Sequence, residues 1–102
     1  MDSPGAAVIR HKENTKWYAL IMDVKRDSLG LEGDEVVDII NVKCDKLMIG
    51  SILQNDGYFP AYHMNKENWI TIILDGSVPI EEICGLIDIS YGMALPKGKR
   101  RV

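Results

Sequence analysis

The chain has 102 residues, enough to bury one hydrophobic core but not two. With 46% hydrophobic and 26% charged residues, its composition excludes a disordered chain, and no apolar run approaches the roughly 18 residues of a membrane helix. The net charge of −3 conceals a segregation: up to Pro96 there are eight Lys/Arg against fifteen Asp/Glu, leaving −7, and Lys97, Lys99, Arg100 and Arg101 then add +4. A protein that neutralises phosphates shows a basic face, so this balance weighs against strong nonspecific DNA binding unless the bases cluster in space.

The N-terminal "MDSPGAAV" lacks the basic-then-apolar order of a secretory signal, so a cytoplasmic protein is expected. Residues 6–12 and 16–24 read as strands joined by the polar turn "ENT", a β-hairpin. The second of them, "KWYALIMDV", is apolar on both alternating faces, so one face meets a core and the other is partly covered. "KRDSLGLEGDE" is a loop with a helical turn near Ser28, and "EVVDIINVK" is a third strand rich in β-branched residues. Asp45 is placed to cap a helix whose apolar stripe is Met48, Ile49, Ile52 and Leu53, stopped by "NDG" at residues 55–57.

Residues 58–62 form a short strand that Pro60, lacking an N–H, confines to a sheet edge. Residues 68–75, "NWITIILD", are a strand with Ile70, Ile72 and Leu74 on one face. A last helix follows Ser77 or Val78 as cap, with Pro79 in its first turn and Glu81 and Glu82 near its positive end. Its apolar positions fall in two lines, one through Ile80, Ile83, Cys84, Ile87, Tyr91 and Ala94 and a second through Leu86, Ile89 and Met93, more than one sheet needs. The order is β-β-β-α-β-β-α, an α+β two-layer sandwich with an antiparallel sheet and both helices on one face. Ile70, Ile72, Leu74, Ile83 and Ile87 are expected in the shared core. Residues 1–96 form the domain and 97–102 a basic tail.

Chemistry-bearing residues are sparse. Cys44 and Cys84 have neither CxxC spacing nor a Cys/His cluster, which points to reduced thiols and to no metal. A helix dipole would lower the thiol pKa at Cys44, but no nucleophile motif surrounds it. No acid/base pair or cofactor loop assembles either, so neither an enzyme nor a cofactor is expected. The polar knot of His63, Asn65 and Lys66 reads first as a structural corner, with Asn65 bonding nearby backbone, and second as an anion-binding corner. Arg10, His11, Lys12 and Lys16 are a solvated hairpin tip or the bases of a DNA-contacting wing, and Lys99, Arg100 and Arg101 a solvated tail or a nucleic-acid contact. Trp17, Tyr18, Tyr58, Tyr62 and Trp69 are either core cross-strand partners or a base-stacking platform.

The blocks "KWYALIMDV", "LGLEGDEVVDIINVKCD", "GYFPAYHMNKENWITIILDGSVP" and "LIDISY" stand ungapped and in order, and together resemble the MmcQ/YjbR family over about residues 7–91. The resemblance implies a two-layer fold of the CyaY-like type and a DNA-binding label that rests on a double-wing shape; it implies no catalytic residues. Members usually open with a further helix before the first strand. No such helix is read before the first strand here, so either a shortened member or one whose partner surface replaces the helix is expected, and in both cases the wide apolar face of the last helix is expected to seek another neighbour. The alternative reading is therefore a protein-interaction module or homodimer burying Leu86, Ile89 and Met93.

Overall fold

The computed structural model describes residues 7–10, 17–62 and 64–94. Five strands, β1 (Ala7–Arg10), β2 (Trp17–Lys25), β3 (Val36–Lys43), β4 (Tyr58–Pro60) and β5 (Trp69–Ile73), make one sheet of order β1-β2-β3-β5-β4 with every neighbouring pair antiparallel. A 3-10 turn, Arg26–Leu29, opens the β2–β3 connection; α1 (Lys46–Ile52) follows β3, and α2 (Ile80–Ala94) follows β5. The order of elements along the chain, the antiparallel sheet and the edge position of β4 match the expectation from sequence.

One face of the sheet is closed by both helices. Ile40 and Val42 of β3 stand opposite Ile72 and Ile70 of β5, and with Ala19, Tyr58, Ile49 of α1 and Ile83 of α2 they form a single buried cluster. Ile70 and Ile72 are fully buried, as expected. Leu74 and Ile87 are only half-buried at the rim of that cluster. Asp45 caps α1 through its carboxylate, which accepts the Leu47 N–H at 2.9 Å. Met48 departs from the expected stripe and is half-exposed, because Ile49, Ile52 and Leu53 already fill the arc that meets β5.

On α2, Ile83 and Ile87 meet the core as expected, but the rest of the core-facing line shifts. At 100° per residue, Ile83, Leu86, Ile87 and Ser90 occupy one arc, and it is this arc that meets β2 and β3. Ile80, Cys84 and Tyr91, placed in the core-facing line by periodicity, are exposed, and Leu86, assigned to an interface, packs against the chain's own core. Ser90 is fully buried: its Oγ accepts the Lys43 N–H at 2.8 Å and donates to the Tyr18 carbonyl at 2.5 Å. It thereby continues the β2–β3 ladder one step past its last pair, Ala19 with Val42. Tyr18 reaches that position as the extra residue of a β-bulge, since Ile9 pairs with Ala19 while Arg10 pairs with Trp17. Its ring then meets Tyr91 edge-on at 5.1 Å.

The opposite face is closed by loops. Leu20, Val24, Ile39, Ile73 and Trp69 are buried there by strand alternation, under the connections that precede β3 and β5. Asn41 and Thr71, a directly opposed β3–β5 pair, are fully buried on this side. The Thr71 hydroxyl donates to the Asn41 carbonyl oxygen and accepts the Tyr62 N–H at 2.9 Å, and the Asn41 amide reaches toward the Tyr62 carbonyl at 3.5 Å. A loop lying on a sheet brings bare backbone donors with it, and these two side chains satisfy them.

Candidate nucleic-acid interface

The topology sorts charge to the two ends of the sheet. At one end lie the β2–β3 connection with Asp27, Glu32, Asp34 and Glu35, the α1–β4 turn with Asp56, the β5–α2 turn with Asp75, and the start of α2 with Glu81 and Glu82; Lys25 and Arg26 are its described cations. At the other end lie the β1–β2 hairpin with Arg10, the β3–α1 junction with Lys43 and Lys46, and the β4–β5 loop with Lys66, against Asp45 and Glu67. The acidic balance of the chain therefore resolves into an acidic pole and a smaller basic one. α2 also ends at the basic pole, and the sequence beyond it carries Lys97, Lys99, Arg100 and Arg101.

At the basic pole four side chains lie on the loop-covered face as two cation–ring pairs. Ile9, Val42 and Ile70 point to the helices, so Arg10, Lys43 and Trp69 next to them point the other way, and Trp17 shares a face with its register partner Arg10. The Arg10 guanidinium lies 5.9 Å from the Trp17 ring centroid, and the Lys43 ammonium 5.8 Å from the Trp69 centroid, both within cation–π range. Trp69 is 8% exposed and Trp17 38%, so one tryptophan is a buried seat for its lysine and the other a ring open to solvent. Lys66 borders two clefts, one of about 410 Å³ with Leu29, Phe59 and Tyr62 and one of about 330 Å³ with Lys46 and Glu67.

Of the residues singled out from sequence, Arg10 and Lys66 stand at this pole. Asn65 is a structural corner: its carboxamide oxygen accepts the Glu67 N–H at 2.8 Å and its carbonyl the Asn68 N–H at 3.2 Å. His11, Lys12, Lys16, His63, Lys99, Arg100 and Arg101 lie outside the described residues. The aromatic platform does not assemble as drawn from sequence, because Tyr58 and Trp69 are buried and Tyr18 turns to the helix face. Lys43 and Lys46 were missed. The signal was present in their flanking a strand end and a helix start at the end where the first hairpin turns.

Of the three residues assigned to an interface, Leu86 is in the core, Met93 is half-buried and Ile89 is 49% exposed. Cys44 is buried, and desolvation pushes its thiol above the ordinary range, the opposite of an activated nucleophile. At the acidic pole a cleft of about 410 Å³ is lined by Arg26, Asn55, Asp56, Asp75 and Ser77 among others. Asp75 is held below its ordinary carboxyl value, first by the Ser77 hydroxyl and then by the Ser77 N–H, with Arg26 4.0 Å away adding to the effect. Ser77 thus serves Asp75 and caps no helix through its side chain. The Tyr58 hydroxyl donates to Glu82, and burial followed by that bond and its charge raises the phenol far above its ordinary value. Each of these groups has a partner within the chain. Among the described residues no three His, Cys, Asp or Glu side chains group as a metal site, and no helix is long and apolar enough to cross a membrane.

Comparison with known proteins places this geometry among relatives. The YjbR family model matches residues 1–93. The Bacillus subtilis protein named YyaQ, described as uncharacterized, is 42% identical over 88 residues, which cover 86% of this chain and 75% of that protein. The Escherichia coli K12 protein named YjbR, also described as uncharacterized, is 42% identical over 52 residues, 48% of this chain and 44% of that one. A crystal structure of a Pseudomonas syringae protein superposes with a TM-score of 0.88 at 44% identity, covering 90% of this chain and 79% of that one. A Deinococcus radiodurans protein with a DUF419 domain gives a TM-score of 0.65 at 26% identity, covering 92% and 62%.

Proposed function

The chain belongs to the YjbR family, and on that footing we propose that it is a non-enzymatic DNA-binding module whose contact surface is the basic end of the sheet. One observation carries the reading: Arg10, Lys43, Lys46 and Lys66 gather at the hairpin end while the carboxylates of the connecting turns gather at the other. That arrangement meets the condition set by the acidic composition, that the bases cluster in space. It also orients the molecule, because a polyanion drawn to one pole is repelled from the other. The contacts to phosphate would come from Lys66, Lys46 and Arg10, and these position the molecule without reading sequence.

Fluorescence anisotropy with labelled single-stranded and duplex DNA, at low and at physiological salt, tests the reading. Binding should be measurable at low salt and weaken steeply as salt rises. Lys66→Glu should weaken it and flatten the salt dependence, whereas Glu32→Gln at the acidic pole should not. Absence of binding to either form of DNA at low salt sinks the proposal. The alternative of a homodimer through α2 has less support, since Leu86 belongs to the core and leaves Ile89 as the exposed member of the predicted line.

A further inference from the structure

Resting on the reading of the basic pole as a nucleic-acid surface, we infer that its ligand is single-stranded and that one unpaired base stacks on Trp17. Trp17 is the exposed ring on this face, and the cation against it is Arg10 on β1, while Lys43 on the next strand, β3, is held against Trp69. A base laid on Trp17 would have the Arg10 guanidinium beside it for one flanking phosphate, and the chain of bases would run on across the end of the sheet toward Lys43. Buried Trp69 cannot stack a base; it holds the Lys43 ammonium in place. An indole face open to solvent beside a cation gives little to a duplex, whose bases are already stacked on one another. It gives a great deal to a single strand, since each base laid on an aromatic ring contributes on the order of a tenfold gain or more in affinity.

Charge points the same way. The basic pole offers four described cations against two carboxylates, with eight carboxylates at the far end. A duplex carries one negative charge per roughly 1.7 Å, twice the density of one strand, and would need a broader basic surface. A narrow strip at a sheet end suits a short length of single strand.

The experiment compares a labelled oligothymidylate with a duplex of equal length by anisotropy at low salt, and follows tryptophan emission during the titration. The single strand should bind about tenfold tighter, and binding should quench emission. Trp17→Ala should lower single-strand affinity about tenfold with little effect on duplex affinity, while Trp17→Phe keeps most of it. Should Trp17→Ala fold poorly by circular dichroism, the quenching in the unaltered protein, carried by the exposed ring, and the Trp17→Phe affinity still decide the matter. Equal affinity for both forms, unquenched emission on saturation, or unchanged affinity in a folded Trp17→Ala protein overturns the stacking inference while leaving the DNA-binding reading intact. No binding of either form removes both.

Discussion

The two faces of the sheet are equally dry at their centres and are built on different principles. Under the helices, Ile40, Val42, Ile70 and Ile72 meet Ile49 and Ile83 with apolar surface, and the buried Ser90 hydroxyl is confined to the strand ends of β2 and β3. Under the loops, Ile39 and Ile73 flank the fully buried pair Asn41 and Thr71. A helix satisfies its own backbone and can therefore be packed like a hydrocarbon rod, whereas an irregular segment arrives with unpaired N–H and C=O groups that the surface beneath must bond. The polar residues inside the second face are the cost of closing it with irregular chain, from whose rim Lys66 emerges.

Four substitutions break or sharpen that comparison, in descending order of effect. Ile72→Ala removes volume from the helix-side cluster, where the residue is fully buried, and should lower unfolding free energy by roughly 2–5 kcal/mol in a urea titration; a loss below about half a kcal/mol would show that this face is not the tight one. Gly57→Ala overfills the same side: Gly57 has φ +90° and an added Cβ would stand 2.4 Å from the Val78 side chain. Overpacking of that kind costs about 1–3 kcal/mol, and the positive φ adds strain for any residue with a Cβ. The thermal midpoint should fall accordingly.

On the loop side the shape-preserving Thr71→Val is the sharper probe. It leaves the volume unchanged and strips the Tyr62 N–H and the Asn41 oxygen of a partner, so about 1–3 kcal/mol should be lost. Amide exchange should quicken first at Tyr62, because the β4–β5 loop is released before the strands. The same methyl-for-hydroxyl exchange on a purely apolar face would be neutral or stabilising, and that outcome would erase the distinction between the faces.

The smallest effect belongs to the exposed turn at the acidic pole. The folded protein holds the Asp75 carboxyl below its ordinary value of 3.8 through the Ser77 hydroxyl and N–H. A depressed carboxyl favours the folded state above its unfolded pKa, and that contribution is lost as pH falls through the folded value. Urea midpoints of the unaltered protein and Asp75→Asn should differ slightly near neutrality and converge well below pH 3.8. A gap that persists in acid would assign the effect to the turn's shape and not to its charge.

Strand alternation, the Asp45 cap and the "NDG" stop were legible in the sequence because each is a local rule: period two, a side-chain acceptor before a helix, a residue that tolerates positive φ. Pro60 likewise announced an edge. The side of α2 that meets the sheet was not legible, since Leu86 and Ile80 are equally apolar and only the docking angle separates them. Ser90 gave no apolar signal at all, yet it is the residue that stitches α2 to the ends of β2 and β3.

The knot around Asn65 shows the same division. Its turn chemistry could be read from an Asn followed by charged residues, and the Glu67 N–H confirms that local role. That the loop lies on Asn41 and Thr71 depends on two strands about thirty residues apart becoming neighbours. The amino-acid sequence by itself determined the elements, their order, the edge and the net acidity, because these depend on residues within a turn or two of each other. The tertiary structure decided which face each cation and ring shares: only antiparallel register places Arg10 beside Trp17 and Lys43 beside Trp69, and only the direction of five strands sends the carboxylates of three separate turns to one pole and Lys43, Lys46 and Lys66 to the other.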